Sequence, residues 1–220
     1  MKAAQIELVL FDLDGTLADT APDLAAAANR QRSDRGLDPL PIEDLRPMAS
    51  HGARGLVGRA LGLAPGDADY EAARLEFLSF YEQALCVHTR LFAGMAETLL
   101  RIEADGRRWG VVTNKASRFT GPLMQRLGLH ERAACVVSGD TTPHIKPHPA
   151  PIRHALAACA VSCERAVYVG DDRRDIEAGR AARVATVAAA YGYLGDAATI
   201  DEWGADHVIA APGELVGLLR

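Results

Sequence analysis

Two carboxylates stand directly after the first strongly apolar stretch of the chain. Residues 6–11 read IELVLF, and Asp12 and Asp14 follow, with Gly15 next. A short run of apolar and β-branched residues predicts a buried parallel strand. Asp and Gly are also common in the ordinary turns that end a strand. The pair therefore indicates either a plain turn or a site in which two acids act together.

Three later stretches carry further polar groups at the ends of apolar runs or in the loops after them. They read VVTN at residues 111–114, KPHPAP at 146–151 and VYVGDDRRD at 167–175. In open parallel α/β sheets, ligands bind beyond the carboxyl ends of the strands. Asp12, Thr113 and Asp171 are therefore expected to meet at one edge of a sheet, with Lys146 nearby in a loop. Four unrelated turns would reach the same edge only by accident.

The four stretches, in this order, resemble the signature motifs of the haloacid dehalogenase-like hydrolases. The first, DLDGTL at residues 12–17, looks like the family's catalytic loop, and the whole match covers nearly the entire chain. Most members of the family are Mg-dependent phosphatases. The resemblance implies an α/β fold, with a Rossmann-like doubly wound parallel sheet as the core and an inserted helical cap of type one.

The segment between the first two motifs has a helical pattern. Residues 20–23 have the form of a capping box, and apolar residues recur on one helical face between residues 69 and 87. The predicted helices run from 20 to 35, from 42 to at most 48, from 53 to 61 and from 69 to 87. The segment shows no convincing strand. We therefore predict a helical cap domain at residues 19–90.

Helices and strands alternate regularly after this segment. Predicted strands cover residues 109–113, 134–138, 166–169, 184–188 and 207–209, and predicted helices cover 95–105, 120–127, 151–158, 172–182 and the C-terminus. Strands separated by helices indicate right-handed crossovers and a parallel sheet that is covered on both faces. Residues 1–18 and 91–220 are therefore predicted to form one catalytic core domain.

The resemblance implies a role for each polar residue. Asp12 would attack phosphorus and carry an aspartyl-phosphate, which divides one difficult step into two. Asp14 would protonate the leaving oxygen and then activate water, a role that contributes roughly 10²–10⁴-fold. Thr113 and nearby amides would hold phosphate oxygens, with Asn114 binding substrate. Lys146 would balance charge on the aspartate and the phosphate.

Charge repulsion makes a cation necessary for this chemistry. A phosphate monoester is a dianion, and at about 4 Å and an effective dielectric near 20 it repels a carboxylate by on the order of 8 kcal/mol. Lys146 supplies one positive charge, and carboxylate and backbone oxygens suit Mg²⁺ as the remainder. By the resemblance, the Mg²⁺ ligands are Asp12, the backbone carbonyl of Asp14, Asp171 and Asp175, the last through water or as a brace.

Asp172 departs from the family pattern, which usually has Ser or Thr at this position. We expect the extra carboxylate to affect only the surroundings of the metal and to strengthen the demand for a cation. Thr16 is expected to shape the loop, and Gly15 to let the backbone come close to the ligand.

The cap is expected to contact the part of the substrate that is not phosphate. Residues 51–55 read HGARG, a turn in which Gly52 and Arg54 would lie over the site. The arginine suits bidentate recognition of a carboxylate. A turn bounded by glycines, with an arginine that is merely solvated, is the alternative interpretation.

Within the family, the whole chain most resembles the phosphoglycolate phosphatase group. The stretches WGVVTNK at residues 109–115 and WGAD at 203–206 also resemble the related N-acetylmuramic acid 6-phosphate phosphatases. Both substrates carry a carboxylate besides the phosphate, so the sequence predicts the class of substrate and leaves both members of it open.

The composition is that of an ordinary globular chain able to bury a sizeable core. The chain has 220 residues, about half of them hydrophobic, and its formal charge of −5 argues weakly against a nucleic-acid partner. No apolar run approaches the roughly 18 residues that a membrane span needs. The N-terminus has no basic region followed by an apolar stretch and a cleavage site, so we expect no signal peptide. We therefore expect a cytoplasmic protein that acts on a small phosphorylated metabolite, and we make no prediction of its oligomeric state.

The cysteines and two other functions complete the predictions. The four cysteines form no CxxC pair. Cys159 and Cys163, four apart on a predicted helix, are interpreted as small buried hydrophobes because no further ligand completes a zinc set. A mutase-type phosphotransferase would use the same loops, but nothing marks its second sugar site. A catalytically silent sensor of a phosphorylated ligand is disfavoured, because a binding module needs no acid at position 14.

Overall fold

The computed structural model describes residues 5–194 and 197–219. Its strands are β1 Leu8–Phe11, β2 Ala18–Asp19, β3 Arg90–Leu91, β4 Arg108–Val112, β5 Val136–Val137, β6 Ala166–Gly170, β7 Ala185–Ala189 and β8 His207–Ile209. Its helices are α1 Ala21–Ser33, α2 Ile42–Leu45, α3 Gly52–Leu61, α4 Tyr70–Gln83, α5 Met95–Ala104, α6 Ser117–Arg126, α7 Ala150–Cys159, α8 Arg173–Ala182 and α9 Leu215–Leu218. Residues 1–4, 195–196 and 220, which the predicted core segments include, lie outside the described residues.

Six strands form one parallel sheet in the order β5-β4-β1-β6-β7-β8. After β1 the chain builds β4 and β5 on one side and then crosses to build β6, β7 and β8 on the other. The chain therefore reverses its direction of growth beside β1, and in such sheets the crevice at that point is where ligands bind. The predicted α/β class with a doubly wound parallel sheet is confirmed.

The apolar run of β1 is buried because helices cover both faces of the sheet. All four of its residues have no exposed surface. Val9 and Phe11 belong to one hydrophobic cluster, whereas Leu8 and Leu10 belong to another on the opposite face. Alternate residues of a strand point to opposite faces, and a strand covered on both sides has no place for a polar side chain. The first polar side chains therefore appear where the strand ends.

The segment between β1 and β4 is helical, as its pattern predicts. It begins with α1 and continues through α2, a 3-10 turn at Arg46–His51, α3 and α4. The expectation of no strand is wrong at its two ends, where β2 and β3 pair antiparallel, with Ala18 opposite Leu91. Two residues in each strand are too few to leave a period in the sequence. This short ladder ties the entrance and the exit of the helical segment together.

The capping box predicted at the start of α1 is not formed. The hydroxyl of Thr20 donates to Asp14 instead. The N–H groups of Thr20 and Ala21 are satisfied by the hydroxyl of Tyr193, at 2.6 and 2.8 Å. The fourth residue of the expected box, Asp23, accepts hydrogen bonds from the backbone N–H groups of residues 88 and 89. Partners far along the chain have replaced the local ones.

Helix α4 ends four residues before its predicted end at residue 87. Cys86 has a φ of 60°, in the left-handed region, which a helix does not continue through. The two backbone N–H groups that follow bond to Asp23, which draws the chain away from the helix axis. The other predicted helices and strands are found within a few residues of their expected bounds.

Two further observations concern the cysteines and membranes. All four cysteines are free, and α7 ends at Cys159, so that residue and Cys163 do not share a helix. Among the helices of the described residues, none is long and apolar enough to cross a membrane. The cytoplasmic location stays a prediction.

Candidate active site

Three carboxylates meet at the carboxyl edge of the sheet, next to β1 and β6. Oxygens of Asp12, Asp171 and Asp175 all lie within 4.8 Å of one another. The ammonium of Lys146 lies between two of them, 2.8 Å from Asp12 and 2.7 Å from Asp175. Residues more than 150 positions apart in the chain thus form one charged cluster, as the parallel topology predicts.

Asp171 is buried, and its orientation is fixed by two donors. Its Oδ1 accepts from the hydroxyl of Thr16 at 2.8 Å, and its Oδ2 accepts from the backbone N–H of Tyr193 at 2.9 Å. Burial raises the pKa of Asp171 well above its usual value, and the charges of Asp12 and Asp175 raise it further. A nearby cation would favour the charged form of this carboxylate.

Asp175 is held from two sides at the start of α8. Its Oδ1 accepts from Lys146 and its Oδ2 from the backbone N–H of Asp172, at 3.1 Å. Burial raises the pKa of Asp175 to about 7, although the Lys146 ammonium opposes the rise. Burial also opposes the charge on Lys146, but its two carboxylate partners outweigh that effect and raise the pKa of the ammonium.

Gly15 allows the first loop to lie against Asp171. Its φ is 86°, a backbone conformation that residues other than glycine rarely adopt. A Cβ at this position would lie 2.1 Å from Oδ2 of Asp171. The glycine therefore serves both the turn after β1 and the close contact between two of the loops.

Asp14 points away from the three-carboxylate cluster and is held by other partners. Lys115 Nζ donates to its two oxygens, at 2.9 Å to Oδ1 and 3.2 Å to Oδ2, and Thr20 donates to Oδ1. Burial opposes the charge on Lys115, but Asp14 and Tyr81 together outweigh this effect, so the pKa of the ammonium is raised. Asp14 and Asp12 therefore sit in separate charged environments although only one residue lies between them.

Asp172 does not act as the uncompensated carboxylate that we expected. Its side chain caps α8 by accepting from the N–H of Arg174, and the guanidinium of Arg174 bonds to both of its oxygens, each at 2.8 Å. Arg174 also donates to the backbone carbonyl of Ser50, at 2.6 Å, in the helical segment. The charge of Asp172 is thus cancelled locally, and the pair connects the core to the segment above it.

A cavity of about 320 Å³ opens over these acids, between the sheet edge and the helical segment. The sheet edge contributes Asp12, Asp14, Lys146, Asp171, Asp172 and Asp175 to its lining. The side facing the helices is largely apolar and includes Leu24, Phe77, Leu78, Tyr81 and Phe119. Three arginines, Arg74, Arg118 and Arg174, also line it.

The remaining predicted site residues lie in different positions relative to this cavity. Asn114 and Gly52 line it. Asn114 also exchanges two hydrogen bonds with the backbone of Lys146, at 2.9 and 3.0 Å, and so holds that loop. Thr113 is buried and is absent from the described residues that line the cavity; its hydroxyl accepts from the N–H of Lys115 at 3.2 Å.

Arg54 requires a correction. Its side chain is exposed on α3, and it is absent from the described residues that line the cavity. Ala53, one position earlier, does line the cavity. Adjacent residues of a helix point in directions about 100° apart because each turn takes 3.6 residues, so the cavity face of α3 is not the face that carries Arg54. The solvated arginine, our alternative interpretation, describes this geometry.

Sequence reasoning missed several residues of the cavity. Lys115 directly follows the second motif, and this position beside Thr113 and Asn114 could have marked it. Arg118 lies one helical turn further on. Tyr81, in contrast, was predicted only as part of an apolar helical face, and nothing in its spacing distinguishes a cavity-lining tyrosine from a core one.

The carboxylate cluster fits a divalent metal ion. Its donors are oxygens, which hard cations prefer. Burial raises the pKa values of Asp171 and Asp175, and a bound cation would lower them. In this cluster three carboxylates accompany one ammonium group, that of Lys146, so the formal charge of the cluster is negative.

Comparison with known proteins places this geometry among related enzymes. The model of a family described as haloacid dehalogenase-like hydrolase matches residues 9–189. An N-acetylmuramic acid 6-phosphate phosphatase of Pseudomonas aeruginosa is 42% identical, with 100% of this chain and 97% of that protein covered. A phosphoglycolate phosphatase of Xanthomonas campestris pv. campestris is 43% identical, with 94% and 93% covered. The crystal structure of a predicted phosphoglycolate phosphatase from Haemophilus somnus superposes with a TM-score of 0.87 at 28% identity, covering 99% of both chains.

Proposed function

Because the chain belongs to the haloacid dehalogenase-like hydrolase family, we propose that it is a Mg²⁺-dependent phosphomonoesterase that hydrolyses a small phosphorylated carboxylic or sugar acid. The observation that carries this proposal is the convergence of Asp12, Asp171, Asp175 and Lys146 at one end of the cavity, with a second acid, Asp14, held apart from them. The relatives' names supply the two candidate substrates, N-acetylmuramic acid 6-phosphate and phosphoglycolate.

Asp12 is the proposed nucleophile. It stands at the end of the central strand, its carboxylate lines the cavity, and Lys146 lies 2.8 Å from its Oδ1. The metal would be held by Asp12, the backbone carbonyl of Asp14, Asp171 and Asp175. A divalent cation bound there supplies the positive charge that lets a carboxylate approach a phosphate dianion. Lys146 supplies the remaining charge, and Thr113 with its neighbouring amides would hold the phosphate oxygens.

Asp14 is the proposed general acid and base. Its side chain lines the same cavity as Asp12, but its partners are Thr20 and Lys115 rather than the three-carboxylate cluster. This separation suits a division of labour, in which one carboxylate bonds to phosphorus and the other exchanges a proton with the leaving oxygen. A protein that only binds a phosphorylated ligand would have no use for the second acid.

The size and lining of the cavity favour the larger of the two candidate substrates. A volume of about 320 Å³ lies within the range of about 300–1,000 Å³ found for pockets of drug-sized ligands. Phosphoglycolate, with about nine non-hydrogen atoms, would leave the apolar side beside Phe77 and Leu78 largely uncovered. A phosphorylated sugar acid would cover this side and still reach the acids with its phosphate.

The carboxylate of the substrate would bind an arginine on the cavity wall, in place of Arg54. Arg118 is the best candidate because its guanidinium lies over the ring of Phe119, 4.4 Å from the centroid, and none of the ion pairs found among the described residues uses it. Arg74 and Arg174 are already paired, with Glu71 and Asp172.

We further propose that residues 19–90 act as a cap domain on a core formed by residues 1–18 and 91–220. The short β2–β3 ladder joins the two at one point, and the contact of Arg174 with Ser50 joins them at another. If the Arg174–Ser50 contact broke, the cap could swing about the β2–β3 ladder. This movement would admit the substrate and release the product.

A panel of phosphorylated metabolites, assayed by phosphate release, tests the function. Full-length protein should release phosphate in the presence of Mg²⁺ and lose this activity in EDTA, and it should regain the activity when Mg²⁺ is restored. N-acetylmuramic acid 6-phosphate should be turned over with a higher kcat/KM than phosphoglycolate. Transfer of phosphate to an added sugar, with none released to water, would replace the proposal with a phosphotransferase.

A further inference from the structure

Lys115 is a buried cation that none of the predicted roles accounts for. Its side chain is 8% exposed, yet it lines the cavity. It contacts two residues from different parts of the molecule. The carboxylate of Asp14 accepts from its ammonium on one side, and the ring of Tyr81, in α4, lies on the other, with its centroid 4.6 Å from Nζ.

The contacts of Asp14 distinguish its two oxygens. Oδ1 accepts from the Thr20 hydroxyl and from Lys115, whereas Oδ2 has only the longer 3.2 Å contact with Lys115. An ionised carboxylate offers about two acceptor sites on each oxygen. Oδ1 is therefore occupied, and Oδ2 retains a free site. Because Asp14 lines the cavity, Oδ2 is the oxygen available for exchanging a proton with a bound ester.

Tyr81 approaches Lys115 with its ring. The tyrosine is 1% exposed and packs against Phe119, with ring centroids 5.4 Å apart, so it has little freedom to move. Its hydroxyl makes no hydrogen bond to the described residues, and burial raises the pKa of this hydroxyl to about 12. An aromatic face attracts an ammonium through its quadrupole, so the ring itself restrains the lysine.

We propose that Lys115 is a positioning residue that holds Asp14 with Oδ2 towards the substrate, and that Tyr81 holds Lys115 in place from the helical segment. The inference rests on the proposed phosphatase function and extends it. The segment above the cavity then serves the proton-transfer step as well as substrate selection, because one of its aromatic rings fixes the cation that orients the acid.

Comparison of an alkyl and an aryl ester tests this inference. The leaving oxygen of an alkyl phosphate needs a proton, whereas that of p-nitrophenyl phosphate hardly does. Lys115→Met should therefore lower kcat/KM by roughly 10–100-fold on whichever of the two candidate alkyl substrates the wild type turns over faster, which is part of the full effect of a general acid. The loss on p-nitrophenyl phosphate should be several-fold smaller, and the inhibition constant of inorganic phosphate should change by less than about threefold.

Equal losses on the two esters, or a large rise in the inhibition constant of phosphate, would show that Lys115 binds phosphate and would overturn the inference. Lys115→Arg keeps a charge at the buried position and tests the same point if methionine is not tolerated there. It should retain more activity on the alkyl ester than Lys115→Met does, with the same order of losses between the esters. Equal losses with arginine count against the inference in the same way.

Tyr81 variants test the second half of the inference. Tyr81→Phe keeps the ring, so it should lose less alkyl-ester activity than Tyr81→Leu. Once Lys115 is methionine, Tyr81→Leu should have little further effect, because residues that act through one another are not additive. If the effects of Tyr81→Leu and Lys115→Met were fully additive in the double variant, Tyr81 would not act through Lys115. A wild type that hydrolyses no ester would overturn the proposed function and this inference together, whereas an active wild type without the alkyl–aryl difference overturns the inference alone.

Discussion

The two ends of the cavity are built in different ways. At the sheet edge, charged side chains bond to one another across loops that are far apart in sequence, as Lys146 does with Asp12 and Asp175. At the helical end, the lining is mainly apolar, with Phe77 and Leu78 as examples. The sheet edge is therefore a network of charged side chains held in place by one another. The helical end is an apolar surface that would recognise a ligand by its shape and by hydrophobic contact.

This difference suits two separate tasks: the sheet edge would carry out the reaction, and the helical end would select the substrate. The phosphate is common to all candidate substrates, so the end that binds it can be rigid and shared across a family. The remainder of the substrate varies, and an apolar wall with one or two polar groups can change its preference without disturbing the reaction. Lys115 and Asp172 are the exceptions, because each connects the two ends through Tyr81 or through Arg174 and Ser50.

The largest effect is expected at Asp12. Asp12→Asn is nearly isosteric, so the protein should fold with an unchanged melting temperature to within a few degrees. It should be inactive on alkyl and aryl phosphates alike, because an amide cannot carry the phosphoryl group. Phosphate release on both ester classes, together with a melting curve, measures this. Appreciable turnover by the variant would remove Asp12 from the role of nucleophile.

Gly15→Ala should cause the next largest loss of activity, and this loss should again be the same for all substrates. The left-handed φ of 86° and the approach of a Cβ to within 2.1 Å of Asp171 both oppose the methyl group. We expect the Mg²⁺ concentration for half-maximal activity to rise steeply, because the displaced carboxylate is a proposed metal ligand. Gly36→Ala, at a glycine with a similar φ of 69° but no atom near its Cβ, is the matched control for backbone strain alone. Equal effects of the two substitutions would contradict the explanation.

Asp14→Asn should lower alkyl-ester activity by roughly 10²–10⁴-fold, the usual contribution of a general acid and base. Binding of Mg²⁺ should be retained, because the side chain of Asp14 is not part of the three-carboxylate cluster. The loss of kcat/KM should be smaller for p-nitrophenyl phosphate. This dependence on the leaving group separates Asp14 from Asp12, and its absence would count against the assignment of the acid.

The smallest effect is expected at the helical end. Arg118→Ala should weaken turnover of N-acetylmuramic acid 6-phosphate by about 1.5–3 kcal/mol, the value of a hydrogen bond to a charged group. It should leave p-nitrophenyl phosphate, which has no carboxylate, almost untouched. Arg54→Ala is the matched control, because that arginine is exposed like Arg118 but lies outside the described cavity lining. A larger loss from Arg54→Ala than from Arg118→Ala would reverse our correction.

The position of the polar residues at the sheet edge could be predicted from the amino-acid pattern alone. Apolar runs predict buried parallel strands, and a polar residue at the end of each run must lie at the carboxyl edge, because the strands of a parallel sheet all point the same way. The sequence therefore predicts that Asp12 and Asp171 lie close together at this edge, with Lys146 nearby in a loop. The helical segment could be recognised from its period, although its two-residue strands could not.

Which side chains pair and which face the cavity depends on how distant parts of the chain pack together. The local capping box was lost because Tyr193, more than 170 residues away, satisfies the helix N-terminus and leaves Thr20 free to bond to Asp14. Arg54 and Ala53 are neighbours in sequence, yet only Ala53 lines the cavity. Periodicity states which residues share a face, but which neighbour covers that face depends on how separate elements pack. That packing brings Tyr81 to Lys115 and Arg174 to Ser50, contacts that no local pattern contains.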